Sequence, residues 1–190
     1  MSPFIDIHTH HEVNPDSTLT IRCEGVHPWL ADRLSAPILY SDDIDAIGEI
    51  GLDYACNADR AAQRAAFLDG LNEAQSRSLA VVIHSVRSFE DVMLTLKERP
   101  TLPAVIFHGF IGSAQQARRA IDSGYYLSFG ERTFSSPKTI AALKITPTDQ
   151  LFLETDNGAM PIEEIYRHAE QIRGEELRER LFNNYIRLFR

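Results

Sequence analysis

Short apolar runs rich in β-branched residues alternate with helical stretches along the chain, and this alternation limits the possible folds more than any other sequence feature. The runs are Phe4–His8, Leu19–Val26, Ile44–Gly51, Leu79–His84, Pro103–His108, Gly124–Phe129 and Leu151–Glu154. Between them lie stretches with a 3.6-residue period. Residues 60–77 align Ala61, Ala65, Leu68, Leu71 and Ala74, and residues 88–99 align Phe89, Val92, Met93 and Leu96 behind a Ser88/Asp91 capping pattern. Ser113 and Gly124 bracket a third helix, Ser136-Pro137 opens a fourth, and two amphipathic helices follow residue 160. Strands that are almost entirely apolar, separated by helices, imply a parallel sheet covered on its faces. An open doubly wound sheet and a closed barrel both meet that description.

The polar residues choose between them. Six of the seven runs carry ionisable residues within or just past their C-terminal ends: Asp6/His8/His10, His27, Glu49/Asp53, His84, His108 and Glu154/Asp156. An open sheet gathers its ligand at one switch point and draws on few strands. Six converging strand ends suit a closed α/β barrel of the TIM type, whose chemistry sits at one face. The expectation is one barrel domain over residues 1–190.

Within this set, His8 and His10 stand at i and i+2 on one strand face and can grip one cation together. Asp6 shares that face and can orient an imidazole. Glu49 lies in an apolar strand with no basic residue near it in that strand, a costly position unless a cation neutralises it. Its two oxygens make it a natural shared ligand for a pair of ions. His84 and His108 end two consecutive strands and form a second imidazole pair, although a single buried histidine of this kind more often bonds a backbone carbonyl. Of Glu154 and Asp156, Asp156 lies farther toward the mouth and is the better ligand and proton acceptor. Four imidazoles and two carboxylates suit two divalent ions such as zinc, manganese or magnesium.

Other chemistries lack support. The chain has no Gly-x-Gly-x-x-Gly, P-loop or Gly-x-Ser-x-Gly pattern and only two cysteines, Cys23 and Cys56, far apart in sequence. With 19 Lys and Arg against 27 Asp and Glu, its formal charge of −8 argues against a basic duplex-binding face and against an anionic membrane partner. The N-terminus lacks a signal-peptide pattern, and no stretch approaches the ~20 apolar residues of a membrane span. A cytoplasmic protein is expected.

Taken in order, these residues resemble the TatD-type deoxyribonucleases of the metal-dependent amidohydrolase superfamily. Asp6-Ile-His8-Thr-His10 resembles the family's opening Asp-x-His-x-His, and Gly25-Val-His27-Pro28 its Gly-x-His-Pro. Ile47-Gly-Glu49-Ile-Gly-Leu-Asp53-Tyr54 is close to identical to its most specific segment. Ile83-His84-Ser85, Phe107-His108-Gly-Phe110, Glu154-Thr-Asp156 and Asn184-Tyr-Ile-Arg-Leu-Phe189 resemble its later motifs. The resemblance implies one metal held by His8, His10, Glu49 and Asp156, and another by Glu49, His84 and His108. His27 and Asp53 would face the substrate, a nucleic-acid end or related phosphoester. In that reading two cations activate a shared water, Asp156 takes its proton, and His27 and Arg132 are candidates to contact the phosphate. Trp29 and Tyr54 can stack on a base or sugar, although rim or core packing is the commoner fate of each.

The chain departs from the family at Val86-Arg87, where the arginine falls one residue late, at Gly109, a usual cysteine, and at Asn157–Pro161, usually Ala-Pro-Tyr-Leu. All three lie where substrate would sit. Only residues 11–26 separate the first histidine pair from Gly-x-His-Pro, which predicts a barrel reduced to seven parallel strands. The favoured activity is a metal-dependent phosphodiesterase on small or single-stranded substrates. The alternatives are a hydrolase of amides or lactones and a non-catalytic metal-binding descendant.

Overall fold

The computed structural model describes residues 2–33 and 38–190, which form two units, each packed mainly against itself. One, the central unit, is Arg22–Phe107; the other, the terminal unit, joins the residues up to Ile21 with His108–Arg190.

The central unit holds β3 (Cys23–Glu24), β4 (Ala46–Asp53), β5 (Ala80–Val86) and β6 (Val105–Phe107), paired in that order and all parallel. Helix α1 (Arg60–Arg77) crosses from β4 to β5 and α2 (Phe89–Lys97) from β5 to β6. The sheet is buried through Ile47, Ile50, Leu52, Val81, Val82 and Ile83. Helix α1 has the bounds the periodicity predicts but turns a different stripe inward: Gln63, Ala66, Phe67, Gly70, Leu71 and Ala74. Phe67 is the largest apolar side chain on that stripe. The buried polar Gln63 completes the end of β4, its Oε1 accepting from the Asp53 N–H (2.8 Å) and its Nε2 donating to the Asp53 carbonyl (3.0 Å). Gly70 is required where it lies, because a Cβ would stand 2.9 Å from the Ile50 side chain. Ser88 precedes α2 but does not cap it. Its hydroxyl donates instead to the Leu52 carbonyl (2.6 Å), and Asp91 accepts from Tyr54.

The terminal unit contains β1 (Phe4–Ile5), β2 (Thr18–Leu19), β7 (Tyr126–Phe129) and β8 (Leu151–Leu153). Strand β1 pairs with β2 and β7 with β8, both parallel. The chain after β1 lies along β8: Ile7 N donates to Leu153 O (3.1 Å), and a parallel bridge links Thr9 to Asp156. Helices α3 (Ala114–Asp122), α4 (Pro137–Ile145), α5 (Ile162–Arg173) and α6 (Arg178–Phe189) complete this unit. Ser113 caps α3 as expected, the structure adds a reciprocal bond from Gln116, and Gly124 adopts φ +80° just past α3.

The expected count of seven strands is corrected here: the described residues contain eight parallel strand segments. The apolar run 19–26 divides into β2, paired with β1, and β3, paired with β4. Arg22, just before β3, is tied to the start of β4. Its N–H donates to Asp45 Oδ2 (2.9 Å), and its carbonyl accepts from Asp45 N (2.8 Å) and Ala46 N (3.2 Å). A continuous apolar run shows burial but not a change of partner. The early crossovers are brief. No α-helix follows β1, β2 or β3 among the described residues, and the β1–β2 crossover is the loop 6–17, about the dozen residues a parallel connection needs.

Candidate functional site

In the terminal unit the register of the β1 segment against β8 sets the chemistry. Asp156 N donates to His8 O (3.0 Å) and His10 N to Asp156 O (3.2 Å), so the Asp156 side chain emerges between two imidazoles. Its Oδ1 lies 3.9 Å from His8 Nε2 and 3.6 Å from His10 Nε2. Asp156 has φ +51°, a left-handed conformation that aspartate tolerates better than most residues. His8 is buried, whereas the His10 side chain is 47% exposed and that of Asp156 34%. Asp6 has a structural partner rather than a ring: Oδ1 accepts from Thr155 N (2.9 Å) and Oδ2 from the Thr155 hydroxyl (2.7 Å). Burial pushes its pKa up to about 6 against the lowering effect of those two bonds.

His108, at the start of the second part of this unit, packs its ring 4.5 Å from that of His8. Its Nδ1 is 3.5 Å from Glu154 Oε1, which also accepts from Gly109 N (2.5 Å). Glu154 is fully buried. Burial raises its pKa, but the neighbouring imidazoles of His108 and His8 outweigh that and hold the carboxyl below its ordinary value. Gly109, which departs from the family pattern, adopts φ +49°, a backbone conformation that favours glycine, and a Cβ there would stand at an ordinary contact distance, 3.4 Å, from Glu154 Oε1. His108, Glu154 and Asp156 form a second ligand-capable group beside His8, His10 and Asp156. Position relative to the mouth favours Asp156 over Glu154 and does not reveal this pairing. The available signal is the place of Glu154 at the end of an apolar run.

In the central unit the register between β4 and β5 shifts from Ile47 to Ile50, so Gly48 and Glu49 lie outside the regular ladder, an irregularity that re-aims side chains. Glu49 Oε2 lies 3.4 Å from His84 Nδ1 and 3.7 Å from His27 Nε2. Gly51, at φ +146°, lets β5 approach: a Cβ would stand 2.0 Å from the His84 carbonyl oxygen. Asp53 ends β4 with Oδ2 3.2 Å from His84 Nε2 and accepting from Trp29 Nε1 (2.7 Å), while Oδ1 accepts from Ala55 N (2.8 Å). Burial works to raise the Asp53 pKa, but these bonds prevail and hold it below the ordinary carboxylate value. His27, expected to face substrate, belongs with Glu49 and His84 to a ligand-capable group. Arg132 is exposed on the turn Glu131–Thr133 after β7, and its guanidinium makes no hydrogen bond or ion pair among the described residues.

These donor sets fit divalent cations. Within each group the ligand atoms lie within 4.8 Å of one another. Imidazole–carboxylate separations of 3.4–3.9 Å exceed a good hydrogen bond and match two ligands each about 2.1 Å from a shared ion, which stand about 3.4–4.2 Å apart.

Comparison with known proteins agrees with this chemistry. The chain is 36% identical over 122 residues to the "Uncharacterized metal-dependent hydrolase YabD" of Bacillus subtilis, covering 60% of this chain and 47% of that protein. It is 34% identical over 146 residues to the "3'-5' ssDNA/RNA exonuclease TatD" of Cronobacter turicensis, covering 70% and 55%. The chain thus spans about half the length of the curated relatives it matches. Its structure is similar to the crystal structure of YjjV, a TatD homologue of Escherichia coli, with a TM-score of 0.79 at 22% identity over 98% of this chain and 97% of that one. That likeness establishes the expected fold class, a TIM-type α/β fold. The family model described as "TatD related DNase" matches residues 11–190, and the chain belongs to that family.

Proposed function

We propose that the chain is a metal-dependent phosphodiesterase that hydrolyses the ends of small or single-stranded nucleic acids. The observation that carries this reading is the pairing of carboxylate with imidazole in both units, at separations suited to sharing a cation rather than a proton. The donors are nitrogen and oxygen only, which favours two divalent ions per chain, zinc or manganese ahead of magnesium. Such ions supply a water of lowered pKa and neutralise charge on the phosphate.

The chain's own residues do the rest. His8, His10 and Asp156 hold one position, and Glu49 and His84 another. Asp156 directs Oδ1 at the two imidazoles, and its second oxygen accepts the proton of the attacking water. His27, more exposed than His84, contacts the phosphate, and Asp53 fixes the tautomer and ring plane of His84 through Nε2. Arg132, exposed on its turn, is a further candidate to contact the phosphate. The net charge of −8 favours single strands over duplex, which a basic face would be needed to grip. The relative named as an ssDNA/RNA exonuclease supports the substrate class.

The test is a screen of metal-reconstituted protein against phosphodiesters, amides and lactones, with metal analysis of the same samples. Phosphodiester turnover lost on chelation and restored by metal is expected. Turnover of amides or lactones without phosphodiesters overturns the reading, as does bound metal with no hydrolysis.

A further inference from the structure

Two aromatic residues stand near the central-unit carboxylates, and their environments differ. Tyr54 is held on both counts: its hydroxyl donates to Asp91, and the Arg60 guanidinium lies 4.3 Å from its ring centroid. Trp29 is 55% exposed. It is the one tryptophan in the chain. Its exposure is not looseness. The indole Nε1–H donates inward to Asp53 Oδ2 (2.7 Å), and its backbone N–H donates to His27 Nδ1 (3.2 Å). The His27 ring meets the indole edge-on at 4.8 Å, 81° between planes.

The indole is therefore anchored at its polar edge to Asp53, which also contacts His84, and braced by His27, whose far nitrogen faces Glu49. With the N–H used internally, what it offers to solvent is π surface, fixed in orientation beside an imidazole–carboxylate group. A tethered, exposed aromatic face beside a phosphate-handling group suits a nucleobase, because stacking needs a preset plane and works with any base.

We infer that Trp29 is a stacking platform for the nucleobase attached to the phosphate that His27 contacts, making it a substrate-binding residue that favours nucleotides over simple phosphodiesters. The inference rests on the phosphodiesterase reading above and narrows its substrate class.

The experiment has two arms, both on the full, metal-loaded chain. The first compares hydrolysis of thymidine 5'-(p-nitrophenyl phosphate) with that of methyl p-nitrophenyl phosphate, which share a leaving group. The wild type is expected to prefer the nucleoside substrate by about tenfold or more in kcat/KM, mainly through KM. Trp29→Ala brings that ratio near one, and Trp29→Phe keeps part of it. The second arm follows the emission of the single tryptophan during titration with thymidylyl-thymidine, where saturable quenching is expected.

A ratio unaltered by Trp29→Ala, or emission unmoved at saturating dinucleotide, overturns the platform. If neither phosphodiester is hydrolysed yet the dinucleotide still quenches saturably, the platform stands and the hydrolytic reading fails. Hydrolysis of both substrates at equal efficiency by the wild type does the reverse.

Discussion

The two ligand-rich sets are built in opposite ways. The central one, His27, Glu49 and His84 with Asp53, comes from a continuous stretch of chain, and its carboxylates are shielded, 9% and 4% exposed at Glu49 and Asp53. The terminal one joins His8 and His10 to Asp156, far apart in sequence, and is open at His10 and Asp156. The central set is shaped by backbone, through the displaced Gly48–Glu49 segment and the close approach at Gly51. The terminal set is shaped by a side-chain clasp of Asp6 on Thr155 and by one backbone bridge. Similar donors can thus be positioned by rigid local geometry or by a long-range register, and the two solutions fail in different ways.

Activity should respond most strongly. Glu49→Ala and Asp156→Asn should each lower metal-dependent phosphodiesterase turnover by on the order of a hundred- to a thousandfold. Metal analysis of the same variants should show bound metal falling together with activity. Wild-type rates in either variant would remove its assigned role.

Stability should separate them next. Gly51→Ala forces a Cβ onto the His84 carbonyl at a positive φ and should cost about 3 kcal/mol or more, or prevent folding. Thr155→Val keeps the shape but leaves a buried Asp6 oxygen without its donor, for a smaller cost of about 1–3 kcal/mol. Urea unfolding of both variants checks the order, and equal costs would mean that the clasp is as rigid as the backbone.

The weakest signal is a pH signature confined to the central unit, which holds both cysteines. Desolvation, then the charges of Asp45 and Glu49, pushes the Cys23 thiol up to about 12. An unfolded thiol ionises near pH 9, so the folded state binds the proton more tightly. Its contribution is complete below pH 9 and is lost as pH rises toward 12, by about 1.4 kcal/mol per pH unit. The difference in urea-unfolding free energy between wild type and Cys23→Ala, measured at about pH 8 and pH 10, should change by about that amount. A constant difference would mean that the thiol is as wet in the folded chain as in the unfolded one.

What is legible in the sequence follows the same divide. Periodicity locates α1 from 60 to 77, and Ser113 with Gly124 marks α3, because caps and apolar spacing are local properties. Glu49 can be picked out because a carboxylate in an apolar strand demands an explanation. The stripe of α1 escapes the pattern because Gln63 is drawn inward by two bonds to the Asp53 backbone, a contact with no periodic signature. Ser88 has the sequence context of a cap, but the Leu52 carbonyl claims its hydroxyl. The division of run 19–26 and the pairing of Glu154 with His108 depend on which distant segment arrives alongside, and no local pattern records that.

The make-up of the terminal unit, from both ends of the chain, also bears on time. During synthesis β1 and β2 leave the ribosome well before Leu153 to Asp156, the residues that lie along the chain after β1. At a translation rate of about 5–20 residues per second, the first histidine pair waits on the order of ten seconds for its carboxylate. The central stretch meets no such delay, so on the ribosome it can assemble while the opening strand is still waiting for its neighbour.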